Sequence, residues 1–111
     1  MTNTILCLKA LADETRYKLL QLLLEHDFCV GALSMRLGIS EAAVSQHLQV
    51  LRKAGLVKGE KRGYYTHYQV ERSALIEVGE NISQLALSTP PKQSGCHRHA
   101  KGDHEYCKKV E

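Results

Sequence analysis

Residues Val30 to Val57, VGALSMRLGISEAAVSQHLQVLRKAGLV, constrain the fold most, because they read as two helices with almost nothing between them. In the first, Val30, Leu33 and Leu37 recur at helical spacing, and Gly38 stands where a helix C-terminus favours a residue free to take positive φ. Ile39 leads to Ser40, whose hydroxyl can accept from the unpaired amides of the next turn. Val44, Leu48 and Leu51 then repeat as an apolar stripe, and Gly55 closes the second helix. A joint as short as Leu37-Gly38-Ile39-Ser40 cannot lay the helices antiparallel, so they should cross steeply, as in a helix-turn-helix. Glu41, Ala42, Ser45, Gln46 and Gln49 stay off the apolar stripe, and short polar side chains at a helix start suit a helix that enters the major groove end first. An ordinary αα corner has the same local signature and no partner.

The following residues separate the two. Leu56-Val57 and Tyr64 to Val70 have the aromatic and β-branched content of strands, and Lys58 to Gly63 between them reads as a turn with three cations. A reading helix followed at once by a basic hairpin is a winged helix-turn-helix, a more specific pattern than either half. Arg52, Lys53, Lys58, Lys61 and Arg62 cluster here while 71–87 is net acidic, the electrostatic footprint of a DNA-binding face rather than of an evenly solvated surface. Ser40, Glu41, Ala42, Ser45, Gln46 and His47 are the expected base-reading surface, with Gln46 the candidate for a bidentate contact to adenine. Lys61 and Arg62 should meet phosphate or the minor groove.

The runs Leu8 to Arg16, Cys29 to Leu33, Val44 to Leu48 and Leu51 to Val57, with the Arg62-Gly63 wing, resemble the ArsR/SmtB family of metal-responsive repressors in order and spacing over about Ile5 to Leu87. The resemblance implies a homodimeric winged-helix repressor, mainly α with a small β-hairpin, that leaves an imperfect inverted-repeat operator when an inducer binds. It does not name the inducer, though efflux or detoxification genes are the usual cargo of such repressors.

One hundred and eleven residues suit one small protomer, whose thin core would gain from an interface made by terminal helices. The domain is read as 1–89, with a Cys/His-rich tail over 90–111. No apolar run reaches membrane-spanning length and no secretory signal is visible, so the expected compartment is the cytoplasm, with no membrane partner. Four cysteines there point to thiol, metal or redox chemistry rather than a disulfide framework. The chain has no H-x-E with P-C-x-x-C, no phosphate-cradling glycine loop and no nucleophile elbow, which argues against an enzyme.

Thr2 to Leu11 reads as a first helix with Ile5, Leu8 and Leu11 on one face. Asp13 caps a second that runs to about His26, with Leu20, Leu23 and Leu24 buried. Glu71 to Leu87 carries Leu75, Val78, Ile82 and Leu85 as one stripe before Pro90-Pro91 stops it. Gly79 inside that helix costs roughly 1 kcal/mol against alanine, understandable where another backbone approaches closely. The first and last helices are therefore the expected dimer contact, where the resemblance also puts it.

The tail bears on the inducer. Cys96, His97, His99, His104 and Cys107 lie within twelve residues, and thiolate with imidazole is the donor set that holds Zn²⁺ and softer relatives in tetrahedral sites. Cys96 with His99 and His104 with Cys107 can each face one way on a turn, with His97 to spare; the alternative is a tail whose residues never converge. Where much of the family has Cys-Val-Cys, this chain has Cys29-Val30-Gly31, so Cys29 is a further expected ligand, and Cys7, otherwise a core thiol, a weaker one. The family's other site, on the last helix, is not expected, since Arg72 and Ala74 occupy its positions. Zn²⁺, Cd²⁺ or Pb²⁺ fit this mixed ligation, whereas Cu(I) or arsenite would need a more sulfur-rich subset. A thiol-redox or persulfide sensor using two of the cysteines is the other reading.

Overall fold

A computed structural model describes residues 2–89 and orders them as α1 (Thr4–Leu11), α2 (Glu14–Glu25), α3 (Val30–Leu37), α4 (Glu41–Lys53), β1 (Val57–Arg62), β2 (Tyr65–Val70) and α5 (Arg72–Leu87). Three helices begin on side-chain caps. Asn3 accepts from the Leu6 amide, Asp13 from the Arg16 amide and Ser40 from the Ala43 amide, each satisfying a donor that the first turn cannot pair. Gly38 and Gly55, both at positive φ, end α3 and α4. At Gly55 the chain turns so that the Leu56 amide donates back to the Leu51 carbonyl over 3.0 Å, which brings Leu56 under the helix it has just left.

The core is formed by Cys7 and Ala10 of α1, Leu19, Leu20 and Leu23 of α2, Leu33 of α3, Val44, Leu48 and Leu51 of α4, and Leu56, Val57 and Val78, with no buried polar residue among the described residues. In α2, Leu19 is fully buried and Leu24 only half-buried, so the inward face is rotated from the expected one. Larger departures occur in α1 and α5. Their buried positions are Cys7, Ala10 and Val78, while Ile5 is 63% exposed, Ile82 41% and Leu85 74%. The two helices pack against each other and are tied by Thr2 to Glu77 and by Asn81 to Thr4; Leu8, Leu11 and Leu75 rest partly buried against the core, while Ile5, Ile82 and Leu85 face outward. Among the described residues no helix is long and apolar enough to cross a membrane.

The wing also differs from expectation. The cationic stretch expected as a turn is strand β1, paired antiparallel with β2 in the register Val57↔Val70 to Arg62↔Tyr65. Only Gly63 and Tyr64 form the loop. Gly63 takes φ +67° while Tyr64 stays at negative φ, so glycine occupies the one position of this tight hairpin that an L side chain would strain. Cys29 pairs with His67 as a bridge on the other edge of β2, where the Tyr68 amide donates to the Phe28 carbonyl over 3.0 Å. The start of α3 is thereby fastened to the wing.

Candidate nucleic-acid interface

Helix α4 buries Val44, Leu48 and Leu51 against the core and turns Glu41, Ala42, Ser45, Gln46 and Gln49 to solvent on the opposite side. Ser40, the cap, is exposed as well. Because the inward stripe is fully apolar, the outward row is held by packing rather than by polar contacts of its own, leaving its amides and hydroxyl free to read base edges. Ser45, Gln46, Gln49 and Arg52 line one concavity with Leu48 and with Tyr68 of the wing. Arg52 and Lys53, in the last turn of α4, and Lys58 and Lys61 on β1 are exposed beside it. Cations at a helix C-terminus complement its dipole, and here they also extend the positive surface toward the wing.

Two expected contact residues are otherwise engaged. The Arg62 guanidinium pairs with the Asp27 carboxylate and, over 2.8 Å, with Glu60, which also accepts from Gln69. Glu60 and Asp27 hold Arg62 still more firmly protonated, and Arg62 in turn holds the Asp27 carboxyl below its usual range. What projects from the wing is instead Tyr64, 95% exposed, with Tyr65 beside it and Lys61 on β1. His47 is half-buried on the flank of α4 rather than on the outward row, and its Nδ1 lies 3.3 Å from Nη1 of Arg16. Sequence reasoning left Arg16 without a role, placed Arg52 only in the basic cluster, and missed Tyr64 and Tyr68. The cation cluster was the one signal that pointed to Arg52.

The sulfur sites separate cleanly. Cys7 is fully buried, its Sγ donates to the Ala54 carbonyl over 3.2 Å, and burial, with Glu77 nearby, pushes its thiol up. Metal ligation needs a thiolate, so Cys7 is a core residue and a poor ligand. Cys29 is a free, half-buried thiol at the N-cap of α3, making no capping hydrogen bond and bordering a cleft with Glu41, Tyr64 and Tyr68. Its bridge partner His67 has a buried Nδ1 without a hydrogen-bond partner. Among the described residues no three histidine, cysteine or carboxylate side chains converge on one point, so by themselves they do not make a metal site. Cys96, His97, His99, His104 and Cys107 lie outside the described residues.

Comparisons with known proteins agree with this geometry. Residues 13–58 match the profile described as bacterial regulatory protein, arsR family. The chain is 43% identical over 79 residues to the transcriptional activator HlyU of Vibrio cholerae, covering 68% of this chain and 73% of that one. It is 41% identical over 63 residues to the arsenical resistance operon repressor of Escherichia coli, covering 56% and 54%. Among solved structures, an ArsR-like transcriptional regulator from Rhodococcus sp. superposes with a TM-score of 0.71 at 28% identity, over 76% of this chain and 79% of that one.

Proposed function

This chain belongs to the ArsR family of DNA-binding transcriptional regulators, not enzymes, and from that premise we propose that it is a homodimeric cytoplasmic repressor of an inverted-repeat operator, released by a thiophilic metal ion. The observation that supports the DNA-binding half is the outward row Ala42, Ser45, Gln46 and Gln49 on α4, set directly opposite its buried face and flanked by Arg52, Lys53, Lys58 and Lys61. Support for the dimer comes from the apolar stripe that α1 and α5 leave exposed. Two such protomers would space their reading helices about 34 Å apart, one turn of DNA.

For the inducer, the support is donor chemistry. Cys29 is the one accessible thiol among the described residues, and the rest of the set must come from the Cys/His-rich tail over 96–107. Zn²⁺, Cd²⁺ or Pb²⁺ suits such mixed sulfur and nitrogen donors. The Escherichia coli relative's name as an arsenical resistance repressor favours a thiophilic inducer, whereas the Vibrio relative's name as an activator shows that regulators of this kind do not all act in one direction.

The test compares full-length protein with a chain truncated after Pro91, both reduced. Operator release is titrated against each ion and, separately, against an oxidant. Release of the full chain alone, by metal alone, is the expected outcome. Equal release of both forms by the same ion excludes the tail as sensor. Release by oxidant alone, reversed by a thiol reductant, replaces the metal with a cysteine-pair switch.

A further inference from the structure

Arg16 makes polar contacts with three elements: α1, the cap of its own helix α2, and α4. Its backbone N–H donates to the Asp13 cap over 3.0 Å, its Nε donates to the Ala10 carbonyl at the end of α1 over 2.6 Å, and its Nη1 reaches Nδ1 of His47 on α4 at 3.3 Å. A guanidinium is a donor at every nitrogen and stays protonated at any relevant pH, so Nδ1 of His47 must present its lone pair. The ring is then neutral with its proton on Nε2, and its χ angles are held by the contact. The Arg16 amide, and after it the charge of the Arg16 guanidinium, hold the Asp13 carboxyl below its usual range.

His47 directly follows Gln46 and lies on the flank of α4, between the buried stripe and the reading row. Val44, Leu48 and Leu51 bind the helix to the core through one face, and apolar packing of that kind resists separation more than it resists a small roll about the helix axis. The contact from Arg16 bears on the flank, where it opposes roll. We propose that Arg16 is a positioning residue for DNA readout: it locks His47 as the Nε2–H tautomer and so sets the angle at which α4 presents Ser45, Gln46 and Gln49. This rests on the DNA-binding reading above and adds to it a residue that lies on another helix.

The test uses full-length protein and two duplexes, an inverted repeat recovered by selection from a random library and a scrambled control. Nitrogen-15 spectra of wild-type protein, taken above the imidazole titration range, should show His47 protonated at Nε2 only. Arg16→Gln should give a mixture of tautomers and cut the ratio of affinities for the two duplexes roughly tenfold, the discrimination of one bidentate base contact. His47→Asn keeps an acceptor where Nδ1 stood and should retain most of that ratio, whereas His47→Leu should lose it. Circular dichroism and melting of each variant establish that it is folded. An Nδ1–H ring in the wild type, or an unchanged ratio in folded Arg16→Gln, overturns the positioning role alone. Wild-type protein that prefers no selected duplex overturns the DNA-binding reading and this role together.

Discussion

At the scale of single residues, position on α4 decides what a polar side chain is for. Gln46 and Gln49 point away from the core with no hydrogen-bond partner among the described residues, whereas His47, between Gln46 and Leu48, is committed to Arg16. Gln46→Ala is therefore expected to lower preference for the selected operator by about 1–3 kcal/mol while leaving binding to random DNA nearly unchanged. Competition titrations read this directly, and equal losses on both DNAs would show that Gln46 makes no base contact. The cysteines divide by the same logic. Cys7 is buried against the Ala54 carbonyl, and Cys29 retains a partly open thiol.

Among elements, the wing is held by charge as well as by its strand ladder. Asp27, in the loop before α3, reaches Arg62 at the end of β1, joining segments that the bridge of Cys29 to His67 also fastens. Because Arg62 depresses the folded-state carboxyl of Asp27, the native chain binds fewer protons there than the unfolded chain as pH falls. The stabilisation is complete above the unfolded value of about 3.9 and disappears as pH drops through the lower folded one. Melting temperatures of wild type and Asp27→Asn should differ at neutral pH and converge as pH falls below the ordinary aspartate range. Since both partners are substantially exposed, high salt should narrow the neutral-pH gap. A gap that widens in acid would mean that Asp27 is not acting through its charge. Arg62 already shares its charge with Asp27 and Glu60, so Arg62→Ala should weaken binding to all sequences less than loss of Lys61, which makes no ion pair among the described residues.

For the molecule as a whole, the question is what covers α1 and α5. Ile5, Ile76, Ile82 and Leu85 are each at least 41% exposed, and Gly79 lies among them with open space where a Cβ would be. In an isolated helix Gly79→Ala should stabilise by about 1 kcal/mol, because alanine loses less backbone entropy. If this face meets its copy, a larger side chain should instead obstruct the contact. Sedimentation of Gly79→Leu is expected to show at least tenfold weaker dimerisation, about 1.4 kcal/mol, with secondary structure retained. Dimerisation as strong as wild type would place the interface elsewhere.

The two helices around Leu37-Gly38-Ile39-Ser40, their caps, the wing that follows and the inward stripe of α4 were all legible in the residue order. Each depends on interactions within a turn or two of chain, where spacing and residue type are sufficient. The extent of β1 was not legible, because its lysines and glycine favour a turn locally and only pairing with Tyr65 to Val70 makes them a strand. The engagements of Arg62 with Asp27 and of Arg16 with His47 were hidden for a related reason. Their partners are more than thirty residues apart, and a charged or imidazole side chain has the same local signature whether it faces DNA or another helix. The apolar stripes of α1 and α5 were visible as stripes, but periodicity reports only that a face avoids water. Whether that face meets the protomer's own core or lies outside it is decided by how seven elements pack, and here Leu8, Leu11, Leu75 and Val78 reach the core while Ile5, Ile82 and Leu85 are left outside it.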